Sequence, residues 1–247
     1  MLLLRLQKLA AALRTPINRR GLRYLVAPSI EHSRALGSRK FNTIIDIGAN
    51  KGQFALFARD TFPKAKILSF EPIQSPADIY EAIFSRDSNC KLYRTAVGQK
   101  SDFLYINVTE ENDASSFLAP TDLQSSTFGT RVSHQEKVRI GPLNSFLSVD
   151  DINVPALLKL DVQGFELEAL KGCAGVLDKI SSIYLEVSFV ELYAAQPLAS
   201  QIISWLGDKS FELAGVFNQQ FSRQGEPVQA DMLFERSSSP MVLEGHS

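Results

Sequence analysis

Short apolar runs alternate with amphipathic segments along most of the chain. The run Thr43–Ile47 is typical of a buried strand, and the segment Gln53–Thr61 that follows it is typical of a helix. The same alternation predicts further strands at Lys66–Phe70, Lys91–Thr95, Leu157–Leu160 and Ile183–Val187. It predicts further helices at Pro76–Ser85, Phe165–Leu170 and Ser200–Leu206. Strands and helices that alternate through short loops indicate an α/β domain whose mostly parallel sheet is covered by helices on both faces.

The pattern changes between residues 98 and 140 and again near the C-terminus. The stretches "DFLYINVT" and "KVRI" predict two short strands, and the polar run between them predicts a mobile loop over residues 110–135. A long polar loop inside a compact domain is more often functional than decorative. The stretches "FELAGVF" and "ADMLFER" predict a closing pair of strands, joined by a polar, turn-rich loop over residues 218–229.

The first 40 residues predict a basic helical extension ahead of a globular domain over residues 41–236, with a disordered tail over 237–247. No acid precedes Glu31, whereas six basic residues do, and leucines recur at helical spacing at positions 2, 6, 9 and 13. Arginine and lysine interrupt the apolar stretch too early for a signal peptide, and the stretch is too short to span a bilayer. Residues 1–26 therefore form either a helix packed on its own domain or an interfacial membrane helix.

Composition excludes several classes of partner. The formal net charge is -1, from 26 basic and 27 acidic residues, so nothing favours nucleic acid. The chain has two cysteines without a C-x-x-C motif and three histidines far apart, which argues against a disulfide framework or a metal site. We therefore expect no metal and a cytoplasmic protein, for which residues 1–26 would allow peripheral contact with the inner face of the membrane. The oligomeric state cannot be read from the sequence.

The stretch "DIGANKG", residues 46–52, forms a glycine turn between the first strand and the first helix. Gly48 and Gly52 allow the backbone to approach a ligand, and the helix that follows presents its N–H groups to it. Asn50 stands where a dinucleotide-binding turn has its second glycine, and its side chain would crowd a pyrophosphate. Asp46 would repel phosphates but suits ammonium and sulfonium groups. The turn therefore favours S-adenosylmethionine (SAM) over NAD.

Glu71 ends the second predicted strand, about 25 residues beyond Asp46. An acid in this position accepts hydrogen bonds from the ribose hydroxyls of an adenosine, although it could also be only a solvated strand end. Together with the glycine turn, Glu71 predicts a cofactor that carries adenosine without a pyrophosphate, which again favours SAM.

The sequence resembles the FkbM-type SAM-dependent methyltransferases. The matching stretches, in the family's order, are "IIDIGANKGQF", "ILSFEPI", "RTAVG", "DASSF", "LLKLDVQGFELEALKG" and "IYLEVS", and together they cover roughly residues 41–236. The resemblance implies a class I methyltransferase (Rossmann-like) fold, with a mostly parallel sheet and an antiparallel last strand. It also implies SAM as methyl donor and, as acceptor, a hydroxyl of a sugar, a glycan or a secondary metabolite.

The resemblance implies a set of cofactor-binding residues. They are Asp46, Gly48, Asn50, Gly52, Glu71, Ala96, Ser115, Ser116 and Asp161. The glycine turn would line the methionine part of SAM, Glu71 the ribose and Ala96 the adenine. The serine pair would close over the cofactor, unless it belongs to a plain surface loop.

Two carboxylates at strand ends are the candidates for catalysis. Asp161 would lie beside the methyl group as general base, and Glu186 at the next strand end is the second candidate. Asp161 could instead cap the helix that follows it, and Glu186 could be a structural partner. The family typically has Asp-Val-Glu-Gly where this chain has "DVQG", so Gln163 favours a second hypothesis, a SAM-binding scaffold protein with impaired catalysis. The loops over 110–135 and 218–229 would face the hydroxylated acceptor.

Overall fold

The computed structural model describes residues 2–110, 113–222 and 224–237. Its strands, numbered in chain order, are β1 (Thr43–Ile47), β2 (Lys66–Phe70), β3 (Cys90–Tyr93), β4 (Ala96–Val97), β5 (Asp102–Thr109), β6 (Val132–Gly141), β7 (Ala156–Leu160), β8 (Ser182–Ser188), β9 (Phe211–Phe221) and β10 (Pro227–Arg236). Its α-helices are α1 (Leu2–Arg14), α2 (Pro16–Leu22), α3 (Ser33–Leu36), α4 (Gln53–Thr61), α5 (Gln74–Phe84), α6 (Asp122–Phe128), α7 (Glu166–Gly172) and α8 (Ala199–Gly207). Short 3-10 helices cover Ile30–His32, Leu143–Ser145, Val149–Asp151 and Ala174–Lys179.

Among the described residues, a seven-stranded sheet in the order β3-β2-β1-β7-β8-β10-β9 forms the centre of the fold. Neighbouring strands run parallel from β3 to β8, whereas β10 is antiparallel to both of its neighbours. This is the strand order of the class I methyltransferase fold, and it confirms the predicted Rossmann-like sheet with an antiparallel last strand. The carboxyl ends of β1, β2, β7 and β8 share one edge of the sheet, where such folds bind their ligands.

Apolar side chains cover both faces of the central strands. β1 and β7 are buried along their whole length, as expected for parallel strands between two helical layers. On one face Ile45 and Leu158 pack in a core with Leu170, while on the other Ile44 packs with Phe54 of α4. Because side chains alternate between the two faces, these two cores fix the register of the sheet and therefore the positions of its carboxyl ends.

The middle of the chain differs from the prediction. β5 and β6 are 8 and 10 residues long rather than short, and they pair with each other in a second sheet of order β4-β6-β5. The predicted mobile loop contains a helix, α6. Thr121 caps α6 by accepting a hydrogen bond from Gln124 N at 3.3 Å, and Gly129 ends it with a positive φ of 73°. These two caps hold a short helix in a segment rich in serine and threonine.

The closing pair of strands is longer than predicted. β9 continues to Phe221 and β10 begins at Pro227, so the predicted loop over 218–229 shrinks to a turn over 222–226. In that turn Ser222 N donates to Glu226 O at 2.8 Å, and Gly225 adopts a positive φ of 85°. The loop prediction was therefore wrong, and the polar side chains of residues 218 and 220 lie on a strand.

The N-terminal segment packs on the sheet's helical layer. Thr15 caps α2 and Pro16 occupies its first turn, which separates α2 from α1. Buried Asn18 donates from Nδ2 to Asp60 Oδ2 of α4 at 2.6 Å, and Leu36 lies in the same core as α4. The division of the chain at residues 40 and 236 stays a prediction, and the predicted tail beyond Ser237 lies outside the described residues.

The leucine face predicted for α1 is described only in part. The side chains of residues 2, 6 and 9 lie outside the described set, and Leu13 is 53% exposed. Within the described part of the chain, every helix is too short or too polar to cross a bilayer.

Candidate active site

A cavity of about 420 Å³ opens at the carboxyl edge of the sheet. The ends of β1, β2, β7 and β8 contribute to its lining, and so do β4, β9 and the loop between β5 and α6. Of the predicted site residues, seven line it, namely Gly48, Asn50, Glu71, Ala96, Ser115, Asp161 and Glu186. Asp46, Gly52 and Ser116 lie behind this lining. The cavity volume is in the range of small-molecule and cofactor sites.

The glycine turn is fixed by its neighbours. Gly48 has a φ of 79°, and a Cβ added to it would lie 1.9 Å from Asp161 O, so only glycine fits between β1 and β7. The N–H groups of Gly48 and Ala49 both donate to Phe70 O at 3.0 Å. Asn50 also has a positive φ of 46°, and its Oδ1 is buried without a hydrogen-bond partner among the described residues. The cavity therefore contains an acceptor atom that a ligand donor could satisfy.

Glu71 is held rigidly at the end of β2. Its Oε2 accepts a hydrogen bond from Asn50 N at 2.9 Å and its Oε1 accepts one from Ile73 N at 2.8 Å. Burial raises the pKa of Glu71 to about 7, although these two N–H groups lower it in part. Glu71 is thus a buried group and not a solvated strand end, and each of its oxygens keeps a lone pair for a ligand hydroxyl.

Asp46 lies fully buried beneath the turn and pairs with a lysine that the sequence analysis missed. Lys159 Nζ, from β7, lies 3.2 Å from Asp46 Oδ1 and 3.9 Å from Asp161 Oδ2. Burial lowers the pKa of Lys159, but the charges of Asp46 and Asp161 outweigh this effect and raise it. Lys159 therefore neutralises the charge of Asp46. That charge was the reason to expect that the site repels phosphates. A lysine inside the apolar strand "LLKL" was the available signal.

Gln163 connects the two predicted catalytic carboxyl groups. Its Nε2 donates to Asp161 Oδ1 at 2.8 Å and lies 3.4 Å from Glu186 Oε2. Its Oε1 accepts a hydrogen bond from Tyr193 Oη at 2.9 Å, which fixes the orientation of the amide. The residue that departs from the family pattern is therefore the one that joins the carboxyl groups.

Asp161 and Glu186 differ in environment. The Asp161 side chain is 42% exposed, whereas Glu186 is half-buried and also accepts a hydrogen bond from Gln229 Nε2 at 2.9 Å. Burial, followed by the charge of Asp161, raises the pKa of Glu186 well above its usual range. Burial and the neighbouring charge thus favour the protonated form of Glu186, and Asp161 is the more exposed carboxyl group of the pair.

Asp161 does not cap α7. Its N-cap position is Phe165, and no side chain caps it. The N–H groups of Val162 and Gly164 donate to Glu166 Oε1 at 3.2 Å and 3.1 Å, so Glu166 holds the turn between β7 and α7. Burial raises the pKa of Glu166 to about 7. Because Asp161 lines the cavity and does not cap α7, its carboxyl group stays available to a ligand.

The two predicted serines have different surroundings. Ser115 lines the cavity, and its Oγ accepts a hydrogen bond from Thr109 N at 3.1 Å. Ser116 is buried, and its Oγ donates to Gln163 O at 2.6 Å. Ser116 thus holds the turn that carries Gln163, while Ser115 faces the space where a cofactor could lie.

Gly52 and Ala96 contribute in different ways. Gly52 starts α4 with a φ of 95°, and a Cβ there would come within 2.7 Å of the Phe84 ring and 3.0 Å of the Tyr80 ring. Ala96 and Val97 of β4 line the cavity directly. Gly52 therefore serves close packing behind the turn, and Ala96 forms part of the wall.

A family model described as the methyltransferase FkbM domain matches residues 46–213. The chain belongs to the FkbM methyltransferase family. It is 28% identical over 181 residues to a protein named 2-O-methyltransferase NoeI from Sinorhizobium fredii, covering 70% of this chain and 74% of that one. It is 27% identical over 194 residues to methyltransferase sdnD of Sordaria araneosa, covering 69% and 73%.

A further relative, methyltransferase 1 of Beauveria bassiana, is 24% identical over 142 residues. The alignment covers 52% of this chain and 57% of that protein, so the chain spans little more than half the length of this relative.

One wall of the cavity lies outside the FkbM match. It is formed by Lys8, Ser29, Glu31, His32, Asn218, Gln220 and Asp231. Ser29 Oγ and Glu31 Oε2 are buried without a hydrogen-bond partner among the described residues. The sequence does not indicate that residues before position 40 line the site. No hydrophobic periodicity shows that an N-terminal segment packs over the edge of the sheet.

His32 and Asp231 meet at the centre of this wall. His32 Nδ1 lies 3.0 Å from Tyr184 Oη and 3.5 Å from Asp231 Oδ2. Tyr184 Oη and Asn218 Nδ2 each donate to Asp231 Oδ2 at 2.7 Å. Burial would raise the pKa of Asp231, but the hydrogen bonds from His32, Asn218 and Tyr184 lower it below its usual value. Asp231 therefore anchors the two segments that flank the FkbM match.

Across the described residues there is no cluster of three or more His, Cys, Asp or Glu side chains placed to hold a metal ion.

Proposed function

We propose that this FkbM protein transfers a methyl group from SAM to a hydroxyl oxygen of a sugar, a glycan or a similar polyhydroxylated metabolite. The observation that carries the proposal is the Asp161–Gln163–Glu186 arrangement in the same cavity as Glu71 and Asn50. One amide holds both carboxyl groups. The open carboxylate can take the proton that the acceptor hydroxyl loses, and the protonated carboxyl group can hold the acceptor through a hydrogen bond.

The residues of the cavity fit SAM. The unpartnered Asn50 Oδ1 could accept from an ammonium or a hydroxyl group, and the Glu71 oxygens could accept from the ribose hydroxyls. SAM would supply a methyl group on a sulfonium sulfur, which is a good and neutral leaving group. Ser115 and Ala96 would bound the same ligand from the side of the second sheet.

Asp161 is the proposed general base. Its carboxylate is exposed to the cavity, and the Gln163 amide fixes Oδ1, so Oδ2 remains to take the proton of the acceptor hydroxyl. Glu186, which holds a proton, would donate a hydrogen bond to a neighbouring oxygen of the acceptor. Such a pair orients two adjacent oxygens, and positioning of the attacking oxygen supplies much of the acceleration in a displacement of this kind.

The wall outside the FkbM match supports a polyhydroxylated acceptor. His32, Asn218 and Gln220 offer both donors and acceptors, and Ser29 and Glu31 contain atoms without partners among the described residues. Buried polar groups of this kind discriminate strongly against ligands that lack matching hydroxyls. The name of the relative from Sinorhizobium fredii, a 2-O-methyltransferase, supports oxygen as the methylated atom.

The proposal is tested with SAM carrying a ¹³C-labelled methyl group. The full chain is incubated with a panel of methyl glycosides and glycan fragments, and products are examined by NMR, which separates O-methyl from N-methyl carbons. We expect O-methyl signals and S-adenosylhomocysteine formation. In Asp161→Asn the rate should fall at least about tenfold, since general bases typically contribute 10²–10⁴-fold.

The matched control for this test is Asp178→Asn, which removes an exposed carboxylate in the 3-10 helix Ala174–Lys179. Its rate should equal that of the wild type. SAM binding by calorimetry without any methylated product over the whole panel would instead favour the scaffold hypothesis that Gln163 raised.

A further inference from the structure

Four arginines surround a second depression, of about 450 Å³, on the surface formed by α2 and the end of α5. Its lining consists of Pro16, Arg19, Arg20, Arg23, Tyr24, Ser85 and Arg86. None of its guanidinium groups forms an ion pair with a described residue. Arg20 Nη1 donates to Ile83 O at 2.7 Å and Arg19 Nη1 to Leu13 O at 3.1 Å, so two of the side chains are held in place.

The acids nearest to this cluster along the chain already pair with other basic residues. Asp87 pairs with Arg59 Nε at 2.7 Å, Glu81 pairs with Arg94 Nη2 at 2.7 Å, and Glu31 pairs with Lys8 Nζ at 2.9 Å. The depression therefore concentrates positive charge that the protein itself does not balance, although the net charge of the chain is only -1. Like charges at this spacing repel one another, and an anionic partner would relieve the repulsion.

Exposed apolar side chains adjoin the arginines. Leu25 is 94% exposed, Leu13 is 53% exposed and Tyr24 is 42% exposed. Leu25 also has a positive φ of 59°, a conformation that is unfavourable for a branched apolar residue. The backbone of this turn closes the end of α2, since Leu25 N donates to Leu22 O at 3.1 Å, but the Leu25 side chain is left in water. Leu13, Arg19, Arg20, Arg23, Tyr24, Leu25 and Arg86 are together called the basic patch.

We propose that the basic patch docks this protein on an anionic lipid membrane. The arginines would bind lipid phosphates, and Leu25, Leu13 and Tyr24 would enter the interfacial layer. Nucleic acid would match the charge but would leave the leucines in water, so the combination favours a lipid surface. This assignment stays within the predicted residues 1–26 apart from Arg86, and it centres the contact on α2 and the turn after it, because Lys8 of α1 pairs with Glu31 at 2.9 Å beside the cavity.

Docking through the basic patch leaves the cavity uncovered. α5 starts after the carboxyl end of β2 and ends before β3 begins, so Arg86 lies towards the amino edge of the sheet. The cavity opens at the carboxyl edge. A docked molecule would thus keep its cavity open to acceptors from the aqueous side.

Co-sedimentation of the full chain with vesicles tests the proposal. We expect binding to phosphatidylcholine vesicles that contain phosphatidylglycerol, no binding to phosphatidylcholine alone, and weaker binding at high salt. Arg19→Gln/Arg23→Gln should lower the partition coefficient about 25-fold, because each basic residue near an anionic surface contributes roughly fivefold. Lys64→Gln/Lys100→Gln, which removes the same charge from exposed lysines elsewhere, should bind like the wild type.

Leu25→Asn separates the apolar contribution from the charge. Asparagine tolerates the left-handed conformation, so this variant should keep the fold while vesicle binding falls several-fold. All variants should retain SAM binding by calorimetry, which makes the outcome independent of the proposed methyl transfer. The proposal is overturned if the wild type stays in the supernatant with anionic vesicles, or if the arginine variant binds these vesicles as well as the wild type does. It is also overturned if the arginine variant loses binding to heparin, a soluble polyanion, but keeps its binding to vesicles.

Discussion

At the scale of single residues, Gln163 determines the electrostatics of the proposed reaction. An amide can donate hydrogen bonds to the two flanking carboxyl groups, whereas a carboxylate at the same place could only accept. Gln163 therefore joins Asp161 and Glu186 without adding a negative charge between them.

Gln163→Glu tests this role. The added carboxylate should make removal of each proton from Asp161 and Glu186 harder, so the pH–rate profile should move to higher pH. At neutral pH we expect methyl transfer to fall about tenfold. Gln163→Leu, which removes the hydrogen bonds without adding charge, should lower the rate without that shift. Identical profiles for the wild type and Gln163→Glu would show that Gln163 only packs.

Glu71→Ala tests the cofactor side of the cavity. Loss of hydrogen bonds to a charged group should weaken SAM binding by about 1.5–3 kcal/mol. Calorimetry with SAM and S-adenosylhomocysteine measures the effect, and circular dichroism checks the fold. Unchanged affinity in a folded variant would remove Glu71 from the ribose site.

Some residues of the site are readable from the sequence and others are not. Gly48, Glu71 and Asp161 follow buried strands directly and Glu186 lies near the carboxyl end of β8, so their arrival at one edge of a parallel sheet could be predicted. His32 could not, since it precedes β1 and meets β10 only through the packing of the N-terminal segment.

At the scale of elements, two buried acids stand where the chain leaves the sheet: Glu71 directly follows β2, and Glu166 is the first residue of α7. The pKa values of Glu71 and Glu166 are both raised by burial from 4.5 to about 7. Between these values the folded chain holds more protons than the unfolded chain. The contribution of Glu71 and Glu166 to the free energy of unfolding is therefore complete below about pH 4.5 and is lost as the pH rises through about 7.

We therefore expect the free energy of unfolding of the ligand-free protein to fall between pH 5 and pH 7, as measured by urea denaturation. Glu166→Gln keeps an acceptor for the N–H groups of Val162 and Gly164 but cannot ionise, so its stability should depend less on pH. A Glu166→Gln variant with the same pH dependence as the wild type would contradict the buried, proton-holding state.

Prediction succeeded for elements that are apolar and failed for elements that are polar. β1, β2 and α4 have the predicted bounds, because buried runs are closed at both ends by turn residues. The polar residues Asn218 and Gln220 predict a loop, but they lie in β9. Because β9 is an edge strand whose residues are mostly exposed, its sequence lacks an apolar run that would predict a strand. α6 was missed because its serines and threonine have weak helix propensity, and only Thr121 and Gly129 mark its ends.

At the scale of the whole molecule, the segment before β1 contributes side chains to the core. Val26, Ala35 and Leu36 are buried with Phe54 and its neighbours on α4. Each fully buried aliphatic side chain contributes about 1.5–3 kcal/mol. The proposed acceptor wall depends on the same segment through His32.

A chain truncated to begin at residue 41 should accordingly lose several kcal/mol of stability, measured by urea denaturation beside the full chain. A chain that begins at Pro16 removes only α1 and should lose less. Equal stability of the chain beginning at residue 41 and the full chain would mean that the extension is a separate unit.

The position of β10 between β8 and β9 has a consequence for biogenesis. A ribosome delivers β8 and then β9 before β10, yet β8 forms hydrogen bonds with β10 and not with β9. Until residue 236 has left the exit tunnel, the edge of β8 therefore exposes unpaired backbone groups, which are a template for aggregation. The nascent chain carries this open edge from the completion of β8 at residue 188 until β10 is available, so its yield in a cell should depend on chaperones that shield incomplete sheets.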